Sequence, residues 1–465
     1  MKTQLVGLFS LMFFLSGCVT APAPTPFPVA DATQVPAIAT PIVSTATVTL
    51  LPATTVTPPT SITTSYTSTP TFVSASLPND LVVAYVVEEE LLIWKQDRLQ
   101  LLEQRQNIST PVFSDDGQWL LFRQRHISSD GSTPPFDELW VARTNGSEIK
   151  RLVGSDDLMA LTGKKVLMDY FSWLPGQHEI LFNTEEIIDG PPGSWPLFDL
   201  YSVDLAGQIT QLIEPGDAGR FVPSPDGGHV ALVTDSRIKV FDLENGKQRT
   251  LLEFEPVEVP MDGGLRTPKV VWDSYGQFVM TSILPKNLYY QDKYAGEPIQ
   301  VWRLFVNGQV ELIAELQPFI PATGIAFSPN LQYFFYLNNS CIDGMGMLYV
   351  YNLATAEEYP LLCVWNLPQW APDSEHFIYE LDGLRQLGSI SDKTNQPLDV
   401  LNVPTDPNVQ ASPQLIWMNA EFFLLVLLRS DVCTLSVATL QGVVTEIAST
   451  PPDVCPQRVD FNLPE

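Results

Sequence analysis

From Asn79 onward the chain is paced by short apolar runs, each entered through a turn that an aromatic or apolar residue introduces. The introducing residues are Phe113, Trp173, Pro223, Trp272, Phe327, Trp370 and Trp417, and the runs that follow cover residues 119–122, 180–182, 230–233, 278–280, 334–337, 377–379 and 422–428. Runs this short between turn residues predict strands. Two further strands complete each unit, as at 238–243 and 248–252, and they meet at a glycine turn. Asn145-Gly146, Ala206-Gly207, Asn245-Gly246, Asn307-Gly308 and Gln441-Gly442 recur at that point. Turns of this kind join antiparallel strands because their backbone twist matches that of the sheet.

Four short strands per repeat is the arithmetic of a β-propeller blade, and radial repetition leaves only short sheet edges. Residues 79–465 accommodate eight blades of about 48 residues each, with seven as the count if one unit is misread. Residues 459–462 repeat the start of the unit, while 81–87, 91–94 and 99–102 supply three more strands. The expected fold is therefore all-β, with the C-terminal strand pairing onto the N-terminal strands to close the ring.

The turns themselves carry a signature. Pro223-Ser224-Pro225-Asp226-Gly227, Phe113-Ser114-Asp115-Asp116-Gly117 and Phe327-Ser328-Pro329-Asn330 resemble the TolB-type, WD40-like propeller repeat, an aromatic-Ser-Pro-Asp-Gly turn followed by an apolar strand. The resemblance implies a propeller that serves as a binding platform or as the accessory domain of a peptidase. It transfers no catalytic position, because Ser, Pro, Asp and Gly are the residues a tight turn requires.

The N-terminus predicts an address. Lys2 precedes a mostly apolar run of eleven residues, 5–15, which is the length of a secretory signal and too short to span a bilayer. Leu15-Ser16-Gly17-Cys18 resembles the cleavage box of bacterial lipoproteins, and the resemblance implies that residues 1–17 are removed and that Cys18 is lipidated. Two or three acyl chains hold a protein on a membrane far more firmly than one. Residues 19–78 then contain 11 Pro and 16 Thr, no Gly, no Lys or Arg, and one charge, Asp31. Such a composition builds no packed core and extends as a semi-rigid tether. The expected organisation is thus signal 1–17, lipidated Cys18 with a disordered Pro/Thr tether to residue 78, and a propeller from 79 to 465.

Four cysteines remain. Cys341 and Cys363 lie 22 residues apart, as do Cys433 and Cys455, at matching positions in their blades. Three pairings exist, and an up-and-down blade brings the second-to-third loop and the end of the fourth strand to one face, which favours Cys341–Cys363 and Cys433–Cys455. Export permits oxidation. Unpaired thiols are the alternative; no Cys-x-x-Cys points to a metal or redox centre, and no cofactor is expected.

A formal charge of −28 excludes a protein that tracks a nucleic-acid backbone. It leaves acid in all eight second-to-third loops, Asp343 among them, so a negative ring for a cationic partner or Ca²⁺ competes with plain turn chemistry. Insertions at 127–136, 185–195 and 285–298 belong to the same face and carry Trp195, Tyr289, Tyr290 and Tyr294 as candidate binding residues. There is no Gly-x-Ser-x-Gly elbow, no repeated Asp-box, and the four histidines fall in different blades. The sequence therefore reads as a membrane-anchored, non-catalytic binding protein or scaffold of the cell envelope, whose loop face takes a protein, peptide or glycan. The rival is a carbohydrate-active hydrolase or lyase with carboxylates at the propeller axis. Inward-facing acids combined with Arg or Trp would favour the enzyme.

Overall fold

The computed structural model describes residues 77–463 except for 110, 129–133, 189–192, 259–264, 287, 289–295, 318–323, 342–344, 382–383, 392–394, 398–413, 430 and 457. These residues form eight antiparallel sheets arranged as a propeller, so the eight-blade count holds. Blade 2 comprises Val112–Phe113, Trp119–His126, Phe136–Arg143 and Ile149–Val153; blade 4 comprises Arg220–Pro223, His229–Val233, Arg237–Asp242 and Lys247–Glu253. Blades 5 to 8 follow the same plan, opening at Val270, Ile325, Gln369 and Gln414.

Closure is as expected. Arg458–Asn462 pairs antiparallel with Val82–Val87, with Val83 opposite Phe461, and Glu90–Lys95 and Arg98–Gln104 complete blade 1. First strands of neighbouring blades lie against one another, Arg458–Asn462 on Val112–Phe113 and that strand on Val166–Trp173. This places the first strands on the inner side of the ring.

The core follows from the strand period of two. Leu120 and Phe122 feed the seam with blade 1, whereas Trp119 and Leu121 on the same strand feed the seam with blade 3. Among the described residues eight apolar clusters occur, and each bridges a different pair of adjacent blades, including blades 8 and 1. A sheet with both faces buried in this way has no solvent face to alternate with, which is why its strands read as continuous apolar runs.

The turns lock together at one end of the strands. In blade 4, Ser224 Oγ donates to Asp226 Oδ1, the Gly228 N–H donates to the same oxygen, and the His229 N–H donates to Ser224 Oγ at 2.9 Å. Ser114 with Asp116 and Ser328 with Asn330 repeat the arrangement. The anchoring tryptophans reach backward: Nε1 of Trp173, Trp272 and Trp370 donates to the carbonyl of Val112, Val222 and Ala326 in the previous blade at 2.9–3.0 Å. Glycine is obligatory at Gly227, where φ is +66° and an added Cβ would lie 2.5 Å from the Pro175 carbonyl oxygen. The hairpin glycines 146, 207, 246, 308 and 442 all have positive φ, as the third-to-fourth turns require.

Blade 3 departs from the plan. Its strands are Val166–Trp173, Glu179–Ile187, Leu200–Asp204 and Ile209–Ile213, and a short fifth strand, Ser194–Pro196, pairs with Glu185–Ile187. A helix, Ser155–Thr162, precedes it. The sequence reading contained neither. The helix is set by its ends: the Asp157 carboxylate accepts the Gly154 N–H at 2.8 Å, and Gly163 closes it at φ 67°, while only Leu158 is buried.

Both disulfides form as paired, Cys341–Cys363 with Cα atoms 6.0 Å apart and Cys433–Cys455 with 5.3 Å. Their strand positions differ slightly from expectation: Cys363 lies within the fourth strand of blade 6, and Cys433 opens the third strand of blade 8. Disulfides fit an oxidising, extracytoplasmic compartment. Among the described residues no helix is long and apolar enough to cross a membrane.

Candidate functional site

At the strand ends opposite the interlocked turns, blades 1 to 4 bring together a group of charged residues scattered over more than three hundred positions of sequence. Arg458 and Arg220 sit at the start of the inner strands of blades 1 and 4, and Arg123 and Arg125 toward the end of the second strand of blade 2. Asp169 lies in the inner strand of blade 3, where the register with Glu179–Ile187 shifts between Met168 and Phe171. The shift is a bulge: Met168 faces Thr184 and Phe171 faces Phe182, so Asp169 and Tyr170 together stand opposite the single residue Asn183. Bulges re-aim side chains.

Asp137 anchors the group from below. It is fully buried, and burying a carboxylate demands compensation. Its Oδ1 accepts Arg125 Nε at 2.9 Å, its Oδ2 accepts Arg125 Nη2 at 3.0 Å, and Oδ2 also takes the Met168 N–H at 2.9 Å. The fork is bidentate and fixes the guanidinium plane. Arg125 Nη2 then reaches Glu185 Oε1 at 3.8 Å, and the Ser194 hydroxyl donates to Glu185 Oε2 at 2.7 Å. Arg123 lies 3.7 Å from Asp137 and donates to the Met168 carbonyl on the approach to the bulge.

Asp169 is in a different state. Burial, reinforced by the neighbouring charge of Glu185, pushes its carboxyl above the usual carboxylate range against the opposing pull of Arg220 and Arg123. Behind it Asp199, fully buried, is also pushed up by burial, despite hydrogen bonds from the Thr184 N–H and hydroxyl. The side-chain carbonyl of Asn183 accepts the Tyr170 N–H at 2.9 Å, but the residue is fully buried and its Nδ2 has no partner among the described residues. A buried amide donor with nothing to donate to is uncommon in a folded protein. Tyr170, 51% exposed, leans on Phe221 with ring centroids 5.1 Å apart.

Of the residues proposed from sequence, Trp195 is 62% exposed on the fifth strand of blade 3, paired with Glu186 and therefore on the opposite face of that sheet from Glu185, which pairs with Pro196. Tyr289, Tyr290, Tyr294, Asp343 and Cys18 lie outside the described residues. The histidines do occupy separate surroundings; His126 stacks on Phe136 and bonds Glu138, His178 bonds Asp116, and His376 bonds Asp373. Among the described residues no three His, Cys, Asp or Glu side chains are grouped to hold a metal ion. The sequence reading missed Asp169, Glu185, Arg123 and Arg220 as a group. Its one available signal was Asp169 itself, a charge inside the otherwise apolar run Val166–Trp173.

No protein-family model matches the chain, and no curated protein matches it. Solved structures share its fold. A structure described as a eukaryotic initiation factor is 12% identical with a TM-score of 0.48, covering 83% of this chain and 88% of that one. An oligogalacturonate lyase in complex with manganese is 15% identical at TM-score 0.41, covering 73% and 85%. Two prolyl endopeptidases, described together, give 11% identity and 0.44, covering 77% and 50%. These likenesses concern the fold alone. The expectation of a non-catalytic protein is corrected to this extent: solved structures similar in fold include some named as enzymes, among them a lyase, prolyl endopeptidases and a putative 6-phosphogluconolactonase from Bacteroides fragilis, and the fold assigns this chain neither an activity nor the lack of one.

Proposed function

We propose that the chain is an exported, carbohydrate-active hydrolase, tethered through a lipidated Cys18 and a Pro/Thr-rich spacer, with Asp169 and Glu185 as its acid and base. One observation carries the reading: two neighbouring carboxyl groups at the inner end of blade 3 are held in unlike environments. Asp169, on the bulge, keeps its proton to higher pH, while Glu185 lies 3.8 Å from Arg125 Nη2 and accepts the Ser194 hydroxyl. Neighbouring carboxyls in unlike surroundings are suited to divide the labour of general acid and general base. In glycoside cleavage the acid protonates the departing glycosidic oxygen and the second carboxylate takes a proton from the attacking water or forms a bond to the sugar.

The surroundings suit a sugar. Tyr170, next to Asp169 on the bulge, is 51% exposed, and apolar ring faces are what pyranose C–H groups stack on. Arg123 and Arg220 offer donors for hydroxyl or carboxylate groups.

The test is turnover by the purified full chain on peptidoglycan strands, chitin oligosaccharides and uronate-containing oligosaccharides, read as new reducing ends. Asp169→Asn and Glu185→Gln should each lower kcat about a hundred-fold or more. Products carrying the ultraviolet absorbance of a new double bond would instead mark a lyase. If no substrate is cleaved, or if both variants keep the parental rate, the assignment fails.

A further inference from the structure

The bulge that carries Asp169 is flanked on both sides by arginines of other blades. On one side Arg123 of blade 2 donates to the Met168 carbonyl, and its guanidinium lies 5.9 Å from the centre of the Phe171 ring, so it reaches both ends of the bulge. On the other side Tyr170 rests on Phe221 with ring centroids 5.1 Å apart, and the residue before Phe221 on that inner strand of blade 4 is Arg220. Both guanidiniums pull on the Asp169 carboxyl.

Arg220 is held in place by its backbone. The connection that delivers it is bonded to blade 3, the Gly216 N–H donating to the Leu197 carbonyl at 2.8 Å and the Ala218 N–H to the Phe198 carbonyl at 2.7 Å. At Gly219 φ is +150° and a Cβ would lie 2.6 Å from the Val233 carbonyl oxygen, so glycine alone lets the chain enter the strand there. Phe198 has φ +52°, a conformation uncommon for a bulky residue and kept where the surroundings enforce it. A bulge, a glycine-dependent turn and a strained phenylalanine thus fix Arg220 against the strand of Asp169.

A guanidinium presents a planar fork of donors that matches a carboxylate. Two of them beside a general acid oppose its task in the free protein, since each cation favours loss of the proton. That opposition is cancelled by a substrate that brings negative charge. We infer that the unit bound at Asp169 carries a carboxylate of its own, seated between Arg220 and Arg123, so that the substrate is an acidic glycan. A uronate and a sugar bearing a lactyl ether share that chemistry. With this carboxylate in place, the pull of the two guanidiniums is offset while burial and Glu185 still push the Asp169 carboxyl up, with the buried Asp199 behind it, so Asp169 keeps its proton to higher pH than in the free protein. The pH effect rests on the reading of Asp169 as the acid, whereas recognition needs the two guanidiniums alone.

The test has a binding arm and a turnover arm, both with the purified full chain. Calorimetry compares hyaluronan fragments, which carry glucuronate, with their carboxyl-reduced forms, and peptide-free peptidoglycan strands with chitin oligosaccharides, which lack the lactyl group. At least one acidic glycan should bind about ten-fold or more tightly than its neutral counterpart. Arg220→Gln should erase that difference, Arg220→Lys should restore part of it, and Lys247→Gln, on the outer strand of blade 4, should leave it intact. In turnover of the acidic glycan, the alkaline limb of kcat should lie at higher pH than that of kcat/KM, and Arg220→Gln should bring the two together. Preference for hyaluronan assigns a uronate, and for peptidoglycan a lactyl ether. The inference is overturned if neither acidic glycan outbinds its neutral counterpart, if Arg220→Gln with an unaltered melting curve keeps the full difference, or if the two limbs coincide for an acidic glycan that is cleaved. Acid-selective binding without turnover would leave it standing and remove the acid–base pair; equally efficient turnover of the neutral glycans would do the reverse.

Discussion

Blades 3 and 4 are neighbours built on one plan, and they spend their polar residues in opposite ways. In blade 4 the polar side chains of the turn serve the fold: Ser224 and Asp226 bond each other and the backbone that follows, and on the third strand Lys239 is buried with its ammonium on the Asp217 carbonyl and Gln248, while His229 Nδ1 is buried without a partner among the described residues. In blade 3 the strand is bulged, a helix and an extra strand are added, two carboxyl groups are held above their ordinary range, and a buried amide has no partner among the described residues. In a repeat protein the polar residues that recur describe the architecture. Those that interrupt the recurrence are where chemistry is to be sought, because strain and unsatisfied groups persist only where something else maintains them.

The contrast is breakable by mutation. The largest effect on stability belongs to blade 4: Gly227→Val forces a β-branched residue to positive φ and drives its Cβ into the Pro175 carbonyl, and should cost about 3 kcal/mol or more in urea unfolding. Asp169→Asn in blade 3 should cost little, so the two blades separate cleanly if the bulge is functional and not structural. A smaller loss, about 1–2 kcal/mol, is expected for Ser224→Ala, which strands the His229 N–H and one bond of Asp226.

The pH dependence should differ in sign. At Asp226 burial works to raise the pKa, but the hydrogen bonds from Ser224 and Gly228 outweigh it and hold the group below the usual carboxylate range. Its contribution is present above the ordinary value near about 4 and is lost as the pH falls through the lowered one. Asp169 and Asp199 are raised, so the folded protein binds more protons than the unfolded chain, and their contribution declines as the pH rises above that ordinary value and through the raised one. Unfolding midpoints measured across the acid range should therefore flatten on the low side in Asp226→Asn and on the high side in Asp169→Asn. Equal and parallel curves for both variants would erase the distinction between the blades.

What could be read in advance tracks the same divide. The ring was legible because each turn announces itself locally through Ser, Asp or Asn and Gly at fixed offsets, and because Phe461 and Val83 complete one repeat between them. The cysteine pairing was legible because equal spacing meant equal blade positions. The helix Ser155–Thr162 was not, since it has capping residues but no apolar stripe. The bulge at Asp169 was not, because a register shift is decided by the partner strand. The charged group was not, because Arg123, Asp137, Asp169, Glu185, Arg220 and Arg458 come from four blades and meet only once the circle exists.

That circle has a consequence for timing. Val82–Val87 is among the first segments of the body to be made and Arg458–Asn462 among the last, yet they share one ladder. Until the late segment arrives, the early one presents a bare edge able to recruit any passing extended chain. Maturation is then governed by the interval between synthesis of the two, which gives an exported polypeptide reason to stay unfolded until it has crossed its membrane whole.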